Sequence, residues 1–198
     1  RGRYDIYISG DIIDHLAGKN ELTAYLCEKL EVKLNQLRSD GRVTVANTSC
    51  TGMSDQGPAV LINGLPLTRL TRKRVEQITE KISADIAVKE WPKAWFKVAD
   101  NIQSKGVLLN IETQPGAAIK KALANDPHDL LAEIDKSELR GCGGAGFKTA
   151  LKWKSCLLSS DNERYVVCNA DEGEPGTFKD RVLLNTYAQQ LIEGMTVC

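Results

Sequence analysis

Asn63-Gly64 stands between two short apolar runs, "PAVLI" before it and "LPLTRL" after it. An Asn-Gly pair readily supplies the two left-handed residues of a tight hairpin turn, so the strands flanking it form a hairpin. That hairpin constrains its neighbours. "YDIYIS" (Tyr4–Ser9) alternates as a strand does, and "RVTVANTS" (Arg42–Ser49) reads as a second strand. Between them, "KNELTAYLCEKLEVKLNQ" (Lys19–Gln36) sets Leu22, Tyr25, Leu26, Leu30 and Leu34 at helical spacing. After the hairpin, "TRKRVEQITEKISADI" (Thr71–Ile86) is a charged amphipathic helix.

The order β-α-β-β-α over residues 1–86 is that of a thioredoxin-like domain, from element order alone. Residues 87–127 read as a linker that packs on something. Trp91, Trp95 and Phe96 fit buried anchors better than a nucleic-acid platform, because little basic charge flanks them. "GAAIKKALAND" (Gly116–Asp126) and "PHDLLAEIDKSEL" (Pro127–Leu139) are helices, the second with proline in its first turn. From Arg140 the character changes. Gly141, Gly143, Gly144 and Gly146 crowd into one loop, and a helix pattern starts at Thr149. "RYVVCNA" (Arg164–Ala170) reads as a buried strand, an acidic turn follows it, and "RVLLNTYAQQLIEGMTVC" begins another helix. Residues 128–198 are therefore expected to be the front part of an α/β domain.

Charge and cysteines narrow the function. With 26 basic and 26 acidic side chains the formal net charge is zero, which gives no electrostatic footprint for nucleic acid or an anionic membrane. No apolar run reaches the ~18 residues of a membrane span, and the start has no apolar signal-peptide core. It begins almost inside a strand, so further residues are expected upstream. None of the six cysteines forms a CxxC pair, and no four have metal-ligand spacing. They read as reduced thiols of a cytoplasmic protein, with Cys27, Cys156 and Cys168 as small buried apolar residues.

Two loops carry candidate chemistry. Glycines lacking Cβ let backbone N–H groups approach a phosphate, and the helix that follows adds the positive end of its dipole. Lys152 could add full charge to the same phosphate. The pattern is not the usual GxGxxG at a strand-to-helix turn, and a tight interhelical turn is the plainer reading. Phe147 is either a core aromatic or a flat face for a ring to stack on. The second loop packs four carboxylates, Asp171, Glu172, Glu174 and Asp180, into ten residues. With Asn169, they follow the end of the expected strand, where open α/β sheets bind ligands. They could bond the hydroxyl and amide groups of a nucleotide, hold a divalent metal, or form a solvated turn. Metal is the weakest option, because "EPG" breaks the spacing of a calcium loop and no histidine joins.

"RGCGGAGFKTALKW" followed by "NADEGEPGTFKDR" closely resembles the flavin- and NAD-binding subunit family shared by respiratory complex I, soluble NAD-reducing hydrogenases and NAD-dependent formate dehydrogenases. The resemblance implies that Gly141, Gly143, Lys152, Asn169, Asp171 and Glu172 contact FMN, and that Gly144, Phe147 and Glu174 contact NAD. "SCTGMSDQGPAVLING" resembles the cluster-binding loop of the thioredoxin-like ferredoxin domain, whose two cysteines fall at Cys50 and Ser54; the earlier pair would fall at Ser9 and Asp14. Three of four ligands are absent, so the resemblance implies a degenerate domain without a [2Fe–2S] cluster and no metal ligands here. A degenerate domain ahead of the flavin motifs looks most like the diaphorase subunit of a soluble NAD-reducing [NiFe] hydrogenase.

Three departures from the family pattern stand out. Cys142 replaces a usual arginine, removing a guanidinium from beside the flavin phosphate. Lys148 and Ala150 stand where proline and glycine are common, and Lys148 is expected to restore some of the lost charge. The family continues with a second glycine-rich segment and a cysteine-rich [4Fe–4S] segment, neither of which is here, so this sequence is expected to be the front of a longer subunit. The implied activity passes electrons between NAD(H) and Fe–S clusters through FMN, with no side chain acting as acid or base. Implied partners are NADH and other subunits of an electron-transfer complex, including an Fe–S subunit. The flavin subunit of a formate dehydrogenase or complex I-like enzyme is an alternative, and a non-catalytic docking module is a rival of another class.

Overall fold

The chain is described by a computed structural model that covers residues 1–110, 112–161 and 163–198. It divides into two compact units, one of residues 1–103 with 171–182, the other of residues 104–170 with 183–198.

In the first unit, β1 (Tyr4–Ser9), α1 (Ile12–Leu16), α2 (Lys19–Leu30), β2 (Gln36–Leu37), β3 (Val43–Thr48), β4 (Val60–Ile62), β5 (Leu65–Leu67) and α3 (Arg72–Ser83) follow in order. The five strands form one mixed sheet in the order β2-β3-β1-β4-β5. β1 lies parallel to β3, with Tyr4 opposite Val43 and Ser9 opposite Thr48. It lies antiparallel to β4, and β4 and β5 form the expected hairpin around Asn63-Gly64. Asn63 and Gly64 both take positive φ, 49° and 81°, as the tight turn demands. The asparagine does more than turn: its Oδ1 accepts from Asp5 N at 2.7 Å, fixing the hairpin to β1.

Helix α3 buries Val75, Ile78 and Ile82, spaced by three and four residues, against the sheet core of Ile6, Val45 and Ile62. Thr71 caps its start, accepting from Arg74 N at 3.2 Å. Helix α2 stops at Leu30, short of the expected Gln36. Glu31 turns left-handed (φ 50°), and Val32 N donates back to Cys27 O at 3.1 Å, which closes the helix end. The chain then enters β2 instead. Trp91 is only 2% exposed. Its Nε1 donates to Ile86 O at 2.9 Å, its ring stacks on Tyr4, and Trp95 and Phe96 flank it. These three aromatics fasten residues 88–96 to the core, as anchors rather than as an open platform.

The second unit is helical. It holds α4 (Gly106–Leu109), α5 (Ala117–Leu123), α6 (Pro127–Lys136) and α7 (Thr149–Leu157). After α8 (Lys179–Thr186), α9 (Ala188–Val197) completes it. α5 packs on α9 and α6 on α7. The single helix expected near the end breaks at Tyr187, whose φ of −126° and ψ of 25° leave the helical range.

Two expectations fail in this unit. Residues 164–170 are not a buried strand: they join no sheet among the described residues, and Tyr165 and Val167 are 79% and 83% exposed. A strand satisfies its backbone only against a neighbour, and this unit offers helices. Cys156 and Cys168 are likewise exposed rather than buried, while Cys27 is half-buried and its thiol is pushed up by burial.

Candidate functional site

The glycine loop joins α6 to α7 and is closed at its neck. Arg140 and Lys148 form an isolated antiparallel bridge, and Gly141 N donates to Phe147 O at 2.9 Å. Above that neck Cys142 to Ala145 are exposed. Gly144 and Gly146 take φ of 105° and 60°, a region a side chain would disfavour. Lys152 sits one turn into α7 and reaches back to the loop. Its ammonium lies 3.5 Å from where a Cβ on Gly141 would stand, so a substituent at Gly141 would crowd the cation. The same ammonium stands 5.7 Å from the centre of the Phe147 ring, and Phe147 is 51% exposed. An exposed glycine turn, a cation and an open ring therefore share one loop, a donor set that suits the phosphate and ring of a nucleotide.

Lys148 does not add its charge to this group. It binds Glu138 Oε1 at 2.9 Å, and Arg140 binds the same carboxylate at 3.1 Å. The Lys148 hydrogen bond, with help from Arg140, holds the Glu138 carboxyl below its ordinary range. Cys142 is exposed. Asn169 is exposed in the same unit, on a segment that is neither helix nor strand.

The acidic loop belongs to the first unit. Glu172 points its carboxylate at the start of α8, accepting from Asp180 N at 2.7 Å and Arg181 N at 3.2 Å. It thus caps a helix whose first turn would otherwise leave donors unmet. Glu174 and Asp171 are exposed. Thr177 N donates to Glu174 O at 3.2 Å across the Pro175-Gly176 turn, where Gly176 takes a φ of 89°. This turn rests on the loop after β3: Gly176 N donates to Cys50 Sγ at 3.4 Å.

That loop is where the ferredoxin ligands would be. A [2Fe–2S] cluster takes four thiolates; the four positions hold Ser9, Asp14, Cys50 and Ser54. Ser9, Asp14 and Ser54 are buried, and Asp11 ties the group together. Its Oδ2 accepts from Ser54 Oγ and lies 3.9 Å from Cys50 Sγ, while Oδ1 accepts from Asp14 N at 2.9 Å. Burial alone would raise Asp11, but the hydrogen bonds from Ser54 and Asp14 prevail and hold it low. Burial pushes Asp14 up, and the charge of Asp11 pushes the same way. One thiol among hydrogen-bonded oxygens does not fit the cluster. Among the described residues no group of three or more His, Cys, Asp or Glu is arranged to hold a metal ion.

The sequence reading missed three residues of the site, Asp55, Gln56 and Arg181. Arg181 Nη2 meets Asp55 Oδ1 at 2.9 Å across 126 positions. Gln56 Nε2 donates to Asp55 Oδ2 at 3.0 Å and to Ala99 O at 2.9 Å, and Ala99 O also accepts from Arg181 Nη1 at 3.1 Å. Asp55 and Arg181 do stand in the quoted motifs, yet no periodicity or spacing links them.

Comparison with known proteins agrees with this layout. Residues 1–83 match the thioredoxin-like [2Fe-2S] ferredoxin family and residues 134–198 match the Nuo51 FMN-binding domain. The alpha subunit of the NAD-reducing hydrogenase HoxS from Cupriavidus necator is 33% identical over 213 residues, covering 99% of this chain and 35% of the relative. The NADH-quinone oxidoreductase F subunit of Aquifex aeolicus is 49% identical over 80 residues, 40% of this chain and 18% of the relative. A crystal structure of an air-oxidized NAD+-reducing [NiFe]-hydrogenase superposes with a TM-score of 0.88 at 44% identity, over 99% of this chain and 35% of that one. The chain thus spans about a third or less of the length of the relatives it matches.

Proposed function

We infer a function from kinship: this chain joins a thioredoxin-like ferredoxin domain to the start of a Nuo51 FMN-binding domain, and is homologous to the HoxS alpha and NADH-quinone oxidoreductase F subunits. It is the flavin-side part of the diaphorase subunit of a NAD-reducing hydrogenase, working in the cytoplasm with an Fe–S partner subunit. Bound FMN supplies hydride exchange with NAD(H) and single-electron exchange with clusters. The protein binds and orients. Gly141, Gly143 and Lys152 take the flavin phosphate; Asn169, Asp171 and Glu172 bond the flavin's polar edge; Gly144, Phe147 and Glu174 receive NAD. Any [4Fe–4S] cluster belongs to residues outside this chain.

The observation that best supports this reading is the Lys152 ammonium set beside both Gly141 and the exposed Phe147 ring. The six cysteines, all free thiols, support a reducing compartment, since an oxidising one tends to pair such thiols. The degenerate cluster loop keeps a single thiol, Cys50, of the four thiolates a [2Fe–2S] cluster takes, which supports placing the electron path elsewhere. The test is the visible spectrum of the purified full-length gene product. Flavin absorption bleached by NADH is the expected result. A colourless protein that still assembles with its partners would replace this reading with a docking module.

A further inference from the structure

The acidic loop is anchored at both ends on the loop that ligates a cluster in ferredoxins. At one end Gly176 N donates to Cys50 Sγ at 3.4 Å. At the other, Arg181 forks onto Asp55 Oδ1 and Ala99 O. The seat is built to stay in place. The Asp55 side chain is 4% exposed and that of Arg181 is 17% exposed. Asp55 Oδ2 is held by Gln56, and its backbone carbonyl accepts from Asn101 Nδ2 at 2.9 Å. Gln56 in turn clamps both the N–H and the carbonyl of Ala99. Arg181 also carries one of the two backbone N–H groups that hold the Glu172 carboxylate. Fixing the arginine therefore fixes Glu172, and fixing Gly176 fixes the turn that presents Glu174.

Resting on the reading of the acidic loop as a nucleotide site, we propose that Asp55 and Arg181 are positioning residues for that loop, and so for the FMN contact at Glu172 as well as the NADH contact at Glu174. The degenerate cluster loop has kept a task as the seat that holds the acidic loop in its binding geometry. A buried ion pair returns little net stability, because desolvation offsets much of its attraction, but it fixes one arrangement. Its loss should therefore register in substrate binding as well as in melting.

The test is Asp55→Asn in the full-length gene product loaded with FMN. The KM for NADH should rise about tenfold and the FMN dissociation constant should rise with it, while kcat of the flavin-loaded fraction stays within about twofold, the pattern of lost binding geometry. Amide exchange over residues 171–182 should quicken while that of β1 and β3 does not. Asp85→Asn supplies the contrast: Asp85 pairs with Arg3 and Arg42 in the same unit, and its loss should lower Tm without moving KM. Arg181→Lys keeps the charge but not the fork, and carries the same expectation should the Asp55 variant not fold. Unchanged KM and unchanged exchange in a folded variant would overturn the proposal. A wild-type protein without flavin would overturn the nucleotide reading alone, and the exchange experiment would still decide whether Asp55 holds the loop.

Discussion

Replacing Asp14 by asparagine should stabilise the first unit at neutral pH and remove part of its pH dependence. Asp14 is fully buried. One carboxylate oxygen accepts from Ala59 N at 2.8 Å, a bond that an asparagine oxygen can keep. The other makes no hydrogen bond of normal geometry, although the Ser9 hydroxyl stands close enough to hold the carboxyl down in part. Burial and the neighbouring Asp11 charge raise the Asp14 pKa in the folded protein, whereas the unfolded chain holds an aspartate near ~3.9. Between those two values the folded state keeps a proton that the unfolded state gives up. Stability from this group is thus complete below the unfolded pKa and is lost as pH rises through the folded one. Asp11 works in the opposite sense: its folded pKa is lowered, so its contribution is present above ~3.9 and lost as pH falls through the folded value. Asparagine at position 14 removes the first effect and leaves most of the second, which rests chiefly on Ser54 and the Asp14 backbone N–H. The gain at pH 7 should be about 1–3 kcal/mol, the usual cost of an unsatisfied buried polar group. Urea unfolding followed by tryptophan fluorescence at several values from pH 4 to 8 measures it. A variant less stable than wild type at pH 7, or one with the same slope above pH 4, would refute the account.

Lys152→Ala should weaken FMN binding by about 1.5–3 kcal/mol through loss of a charge-assisted contact, and an unchanged dissociation constant in a fluorescence titration would reject that role. Glu174→Gln should keep its flavin but lose about 1–3 kcal/mol in kcat/KM for NADH; flavin loss with normal NADH kinetics in the remaining holoenzyme would mean the two nucleotides are assigned the wrong way round. Trp91→Ala should cost about 3–5 kcal/mol, because a buried ring packed on Tyr4 and Phe96 leaves a cavity. Chemical denaturation would show it, and a cost below about 1 kcal/mol would mean that residues 88–96 are not part of the core.

Local signals carried the first unit. Asn63-Gly64 fixed a hairpin, and the spacing of Val75, Ile78 and Ile82 fixed the buried stripe of α3, because turn chemistry and helical period act over a few residues. The apolar run at 165–168 misled for the complementary reason. Val166 and Val167 read as buried because they are apolar, yet they stand 46% and 83% exposed, because a strand also needs a partner whose identity the run does not encode. The end of α2 was missed because Glu31 adopts a left-handed conformation that more often falls to glycine or asparagine. At the candidate site, the glycine and acidic motifs were plain in the sequence, and so was the loss of thiols at positions 9, 14 and 54. The pairing of Asp55 with Arg181 was not, since two common charged residues 126 positions apart leave no local trace.

The first unit takes residues 171–182 as its own after the chain has departed at Gln103 to build most of the second. During synthesis, the sheet and α3 have all left the ribosome once Ser83 has emerged, yet the partner of Asp55 is then still untranslated. At a rate of roughly 5–20 residues per second, several seconds pass before Arg181 emerges. Throughout that interval the Asp55 carboxylate must stay hydrated, and the seat stands open to water. Its burial is therefore among the last events in the birth of this unit, and a nascent chain stalled before Arg181 would display a folded sheet with an unfinished acidic loop.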